Sequence, residues 1–210
     1  MSRPEPDKSP ARVAAFDFDG TLAPRDSLLP FLGRVAGRAP LGRALAVQWP
    51  TIALALAGRG DRDAAKVALV GRLLRGAAAE DVAARGEEYA TVLAGRLRPH
   101  VAERLAWHRD QGHEVVIVSA SLTAYLEPLG RRLGAHAVLA TALEVGQDGR
   151  LTGKLVGANV RGPEKVARLE AYLAGRVCEL WAYGDSEGDR ELLAMADHPY
   201  RVSRRPLPAV

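Results

Sequence analysis

The chain is short of cysteine: Cys178 is the only one among 210 residues. No disulfide can form within it, which fits a reducing, cytoplasmic setting. Cys178 lies in the apolar run VCELWAYGD, so a buried structural thiol is expected there rather than a nucleophile. Aromatics are also scarce, at 5%, and are not interleaved with basic residues. That argues against a stacking platform for single-stranded nucleic acid, and no nucleic-acid partner is expected. Trp49, Trp107 and Trp181 are assigned to packing in the core or in helices around it. His100, His108, His113, His136 and His198 show no metal-ligand spacing and are assigned surface or satisfied structural roles. Long apolar runs are missing too. The longest, Ala44 to Ala57, has 14 residues with Gln48 and Pro50 inside it, short of the roughly 20 a membrane span needs. It reads as a buried helix or a kinked helix pair. The opening MSRPEPDKSPAR lacks the apolar centre of a signal peptide, and residues 1–11 read as a disordered lead-in.

What is present is a 48% hydrophobic, 26% charged chain with a formal charge of +4, enough for one core domain with an insert. A mild positive excess suits either plain solubility or an anionic partner such as a phosphate ester or a membrane surface. Three apolar runs read as strands ending on polar or acidic residues: 12–19, 113–121 and 178–186. Helical spacing follows the second in LTAYLEPLGRRLGA and the third in DRELLAMA. Another helix, GPEKVARLEAYLAG, lies between them, with Pro163 near its start and Gly175 just past its end. This alternation predicts an α/β fold with a Rossmann-like parallel sheet. Residues 136–145 and 199–203 are further strand candidates. In GQDGRLTGKLVG the Asp-Gly pair suits a tight type I′ turn, which predicts a small β-hairpin flap.

Residues 24–98 have no convincing strand and several helical stretches, one of them DRDAAKVALVGRLL with Asp61 or Asp63 as cap. They read as an all-helical cap inserted into a core made of 12–23 and 99–210. No internal repeat is visible.

In a doubly wound sheet ligands bind outside the carboxyl ends of the strands. There the runs DFDGT, SAS and GDSEGD would gather Asp17, Asp19, Ser119, Asp185 and Asp189. Carboxylates so placed repel one another unless a cation joins them, and an oxygen-only donor set suits Mg²⁺. A carboxylate there can attack phosphorus, and a second acid can move protons. Gly20 permits close approach of a ligand, Thr21 offers a hydroxyl and an amide, and the Ser119 hydroxyl can bond a phosphate oxygen, with Ala120 beside it. Lys165 lies in the first turn of a helix, where ammonium and helix N-terminus act together. Ser121 reads as a helix N-cap before LTAYLEPL.

DFDGT, VIVSAS, Lys165 in GPEKVARL and GDSEGDREL resemble, in order and spacing, the four motifs of the haloacid dehalogenase superfamily. The helical insertion after the first motif resembles the type C1 cap of subfamily IB, the phosphoserine phosphatase-like branch. The resemblance implies a phosphatase with Asp17 as nucleophile and Mg²⁺ ligand, and Asp19 as general acid/base with its carbonyl on the metal. It also implies Ser119 and Lys165 on the phosphoryl oxygens, Asp185 on the metal and Asp189 supporting it. Gly188 departs from the Asn common there in phosphoserine phosphatases. Asp26 stands nine residues after Asp17, where those enzymes carry a Glu that meets the substrate's amino group; it serves equally well as a helix N-cap.

The expected substrate is a small phosphorylated metabolite such as phosphoserine. The alternatives are a lipid phosphate such as phosphatidylglycerophosphate, or phosphoryl transfer to an acceptor other than water. A binding module on an inactive phosphatase fold would predict loss of a charged motif residue, and none is lost. Pro24 to Ala79 carries nine Lys/Arg against three Asp/Glu, so the cap would attract anionic substrates or touch an anionic membrane peripherally. Arg59, Arg62 and Lys66 form one basic patch, Arg62 and Lys66 sharing a helix face, and one of them is expected to touch the distal part of the substrate. The oligomeric state is not written in these patterns.

Overall fold

The structure is a computed structural model that describes residues 10–57 and 59–208. Its frame is a six-stranded sheet in the order β4-β3-β2-β1-β5-β6. The strands are β1 (Ala11–Phe16), β2 (Glu114–Leu122), β3 (Ala137–Val145), β4 (Leu151–Val156), β5 (Cys178–Gly184) and β6 (His198–Arg201). All neighbours run parallel except the β3–β4 pair.

The central strands are apolar on both faces because helices cover both. Ala14 and Phe16 join Val115, Ile117, Trp181 and Tyr183 in one core, while Val13 and Ala15 join Val116, Val118, Leu180 and Ala182 in the other. The period of two sorts alternate residues to opposite sides. Helices α5 (Pro99–Asp110) and α6 (Thr123–Leu133) cover the first face through Val101, Leu105, Tyr125, Leu126 and Leu129. Helices α7 (Pro163–Leu173) and α8 (Arg190–Ala194) cover the second through Leu169, Leu173 and Leu192. His108, His113 and His136 take structural roles as expected: His108 bonds His113 and Tyr183, and His136 accepts from the Val115 amide. His198 pairs with Glu179, and the buried His100 Nε2 has no partner.

Between β1 and α5 lie four helices among the described residues: α1 (Leu28–Ala36), α2 (Arg38–Leu56), α3 (Arg62–Leu74) and α4 (Ala79–Ala94). Asp61, not Asp63, caps α3, accepting from the amides of Asp63 and Ala64. Helix α4 seats on α6 so closely that a Cβ on Gly86 would meet the Ala124 carbonyl oxygen at 1.9 Å.

Several sequence expectations need correction. The apolar run 44–57 is not a helix pair and is not buried along its length: residues 44–56 belong to the single helix α2, with Pro50 inside, where Ala44 is buried but Val47, Trp49 and Leu54 are 62%, 61% and 52% exposed. Trp49 therefore packs no core, unlike Trp181, which is buried. Cys178 is half-buried at the start of β5, its thiol pKa raised by burial and by Asp197. The hairpin forms, but as a continuation of the sheet edge rather than a separate flap. Its turn is not type I′, which needs positive φ at both central residues. The Gly149 amide donates to the Gly146 carbonyl across Gln147 and Asp148, and only Gly149 then turns left-handed, at φ 74°. The tip is stitched to the α3–α4 connection by backbone bonds from Gly76 to Leu151, Leu151 to Ala77 and Ala79 to Gly149.

Candidate active site

Asp17 follows β1 directly. Its amide donates to the Tyr183 carbonyl of β5 at 2.9 Å, so the ladder carries on one residue past the strand and fixes the carboxylate at the carboxyl end of the central strands. The chain then tightens: the amides of Thr21 and Ala23 donate to the Phe18 carbonyl, and the Gly20 amide to Ala23. Gly20 has φ +88°, and a Cβ there would meet an Asp185 carboxylate oxygen at 2.3 Å. Only glycine fits that approach. Thr21 is fully buried and its hydroxyl faces Asp185 at 3.5 Å.

Carboxylate oxygens of Asp17, Asp185 and Asp189 lie within 4.8 Å of one another. Lys165, 2% exposed in the first turn of α7, bonds Asp17 and Asp189 at 2.5 Å each. Both Asp189 oxygens are engaged: Oδ1 accepts from Lys165, and Oδ2 accepts from the amides of Asp185 and Ser186 and from the Ser186 hydroxyl. It closes a capping box on the turn Glu187–Asp189 and holds both Lys165 and the Asp185 backbone in place.

The charge balance is uneven, three acids against one ammonium, and burial makes it costly. Burial pushes the Asp17 carboxyl up to about 7, with Lys165 opposing and Asp189 adding to the rise. Burial and the neighbouring Asp189 raise Asp185. Burial would also raise Asp189, but Lys165 and Ser186 outweigh it and hold it below the usual carboxylate range. Lys165 likewise stays charged, since Asp17 and Asp189 outweigh its burial. An all-oxygen, buried, under-compensated set of this kind fits a hard divalent cation and offers nothing to a soft one.

Asp19 is kept out of that cluster. Its Oδ1 accepts from the Ser27 amide at 2.9 Å, and its Oδ2 from the Ser121 hydroxyl at 2.5 Å. Behind them the Ser27 hydroxyl meets Ser121 and Tyr125, and the Tyr89 hydroxyl donates to the Ser27 carbonyl. Burial pushes Asp19 up to about 6 in spite of these bonds. Two acids two residues apart thus face different surroundings. Ser121 caps no helix: β2 runs on to Leu122, the cap position of α6, and the hydroxyl goes to Asp19. Ser119 is buried at the same strand end, where its oxygen accepts from the Ser121 amide and its proton is left to donate.

Of the helical residues, Asp26 is exposed and accepts from the Leu29 amide at 3.0 Å, capping α1. The Arg62 side chain lies outside the described residues. Lys66 reaches across from α3 to donate to the Ala120 carbonyl and the Asn159 side chain. Asn159 in turn donates to Asp63 at 2.7 Å, and its Oδ1 shares the single proton of the Thr141 hydroxyl with the Ala120 carbonyl. Burial lowers Lys66 to about 8, against the pull of Asp63, Asp19 and Asp26. Sequence reasoning missed Ser27, Tyr89, Tyr125, Thr141 and Asn159. Only Ser121 had a usable signal, since alternation along a strand places it on the face of Ser119.

A family model for haloacid dehalogenase-like hydrolases matches residues 14–194. The chain is 36% identical to the protein CicA of Caulobacter vibrioides over 194 residues, 91% of this chain and 86% of CicA. Among solved structures, a protein of unknown function from Bordetella pertussis Tohama I superposes with a TM-score of 0.75 at 27% identity, over 89% of this chain and 87% of that one. A probable phosphoserine phosphatase from Vibrio cholerae shares the fold, with a TM-score of 0.64 at 22% identity, over 89% of this chain and 55% of that one.

Proposed function

The chain belongs to the haloacid dehalogenase-like hydrolases, and from that premise we propose that it is a Mg²⁺-dependent phosphatase of small phosphomonoesters working through an aspartyl-phosphate on Asp17. The observation that carries this reading is the separation of the two acids. Asp17 lies with Lys165, Asp185 and Asp189, while Asp19 is held apart by Ser121 and the Ser27 amide.

The Asp17 carboxylate attacks phosphorus and the bond to the leaving oxygen breaks. Asp19, its pKa near 6, gives that oxygen a proton. The carboxylate so formed on Asp19 then takes a proton from water, which attacks the acyl phosphate and frees both phosphate and Asp17. Lys165 and the Ser119 hydroxyl proton bind phosphoryl oxygens and spread the charge of the transition state. Mg²⁺ would be held by Asp17, Asp185 and the Asp19 carbonyl, with Asp189 behind them, and would supply the positive charge that the cluster lacks. Lys165 opposes the rise that burial imposes on Asp17, and a bound cation would add to that pull.

Residues 24–98 act in this reading as the cap over the site, Lys66 placing the cap's charge beside the Ala120 carbonyl. Asp26 serves as a helix cap, and the substrate is a small phosphorylated metabolite such as phosphoserine. The lone half-buried thiol supports a cytoplasmic setting. Phosphate release from an aryl phosphate, followed while Mg²⁺ is removed by chelation and restored, tests the reading. Activity should vanish and return with the metal, and Asp185→Asn should raise the metal concentration needed. Turnover indifferent to both changes would refute it.

A further inference from the structure

Helix α2 is apolar on the side it shows to water as well as on the side it buries. Ala46, Val47, Trp49, Pro50 and Leu54 are all exposed, and Arg38 and Arg43 are the helix's only charged residues. Exposure of 62%, 61% and 52% at Val47, Trp49 and Leu54 is a contiguous apolar surface on a single element, which an isolated soluble domain avoids. The charge around it has one sign. From Ser27 to Gly60 there are four arginines (34, 38, 43 and 59) and no acid at all, and all four are exposed. A groove of 460 Å³ between α1 and α2 continues the surface, apolar through Leu29, Pro30 and Leu41, with Arg34 and Arg38 beside them. No described helix is long and apolar enough to cross a membrane, so this surface suits contact in the interface plane only.

We propose that the outer face of α2, with the adjoining α1 groove, docks the enzyme on an anionic lipid surface. Trp49 sits at the headgroup level, where an indole is favoured. Val47 and Leu54 enter the acyl boundary, and Arg38, Arg43 and Arg59 meet the lipid phosphates. The absence of acids over this stretch selects an anionic surface over a neutral one and over a second copy of the chain. A second copy would set four arginines against the same four.

The test is co-sedimentation of the full chain with vesicles of phosphatidylcholine alone and of phosphatidylcholine mixed with phosphatidylglycerol. The expected result is binding to the mixed vesicles stronger by roughly tenfold or more, and weakened by salt. Trp49→Ser with Leu54→Ser, and separately Arg38→Glu with Arg43→Glu, should each reduce that binding roughly tenfold while aryl-phosphate hydrolysis in solution persists. Retained hydrolysis shows that the variants fold. Brominated lipid should quench tryptophan fluorescence in the wild type and much less in Trp49→Phe. Equal binding to both vesicles, no binding to either, or a dimer in gel filtration that these substitutions split into monomers would overturn the proposal.

Discussion

At the carboxyl ends of β1 and β5 the buried charged side chains are held by partners from elsewhere in the chain, whereas α2 leaves Val47, Trp49 and Leu54 in water. The site is over-determined: Asp189 alone is bonded by Lys165, Asp185 and Ser186. Over-determination is what allows several like charges to stay close without unfolding the strand ends. Among the described residues, α2 has no such network along its outer side. The joins of the insertion to the core lie on the inner side: a shared apolar cluster from Phe31, Leu74 and Tyr89 to Phe16 and Tyr125, α4 on α6 at Gly86, the hairpin tip at Gly76 and Ala79, Ser27 on Asp19 and Ser121, and Asp63 and Lys66 on Asn159. Chemistry thus sits on strand ends held by long-range bonds, and the outer face of α2 is where apolar side chains are left in water.

The comparison can be broken most forcefully at Asp17. Asp17→Asn should lower kcat by about a thousandfold or more, since the nucleophile is lost, while the fold survives; near-native turnover would break it. Ser121→Ala comes next. It removes one of the two bonds that orient Asp19, and should cost roughly tenfold or more in kcat, with KM little changed.

At the seam, Gly86→Ala drives a methyl into the Ala124 carbonyl and should lower stability by roughly 1–3 kcal/mol, read from denaturant unfolding. A neutral result would mean that α4 and α6 are not in close contact in solution. Acid should act on the core rather than the insertion. Burial, then the charges of His113 and Arg104, push His108 down to about 3. The unfolded chain therefore binds more protons than the folded one from about pH 6.5 downward. This contribution to stability is constant above that pH and is lost as pH falls from there towards 3. Melting temperatures between about pH 7 and pH 5 should fall in the wild type and fall less in His108→Gln. The smallest effect is expected for Lys66→Met, because the Thr141 hydroxyl can still donate to the Ala120 carbonyl or to Asn159. KM should rise by roughly three- to tenfold with kcat within about twofold, as measured by steady-state kinetics.

How far these features could be read in advance follows the same division. Asp17, Asp185 and Lys165 were legible because each is tied to a local pattern, a strand end or a first helical turn. So was the doubly wound sheet, whose central strands carry unbroken apolar runs at 13–16, 115–118 and 180–183. Ser121 was misassigned because a serine before a helical pattern usually caps it, and nothing local says that β2 continues to Leu122. The Asp63–Asn159–Lys66 contacts join residues up to 96 positions apart, and only the tertiary fold decides that they meet. The turn at Gln147–Asp148 differed because a type I turn followed by a left-handed Gly149 uses the same Asp-Gly pair. Trp49 was misplaced for a simpler reason: apolar character predicts burial on average, and α2 is an exception.

The most direct test of the central claim is to mix enzyme, Mg²⁺ and an aryl phosphate, quench in acid within a turnover, and locate phosphoryl groups by peptide mass spectrometry. The account predicts a phosphoryl group on Asp17. It should accumulate in Asp19→Asn, where water is no longer deprotonated, and be absent in Asp17→Asn. A phosphoryl group on another residue, or full activity with no phosphoenzyme at any time, would contradict it.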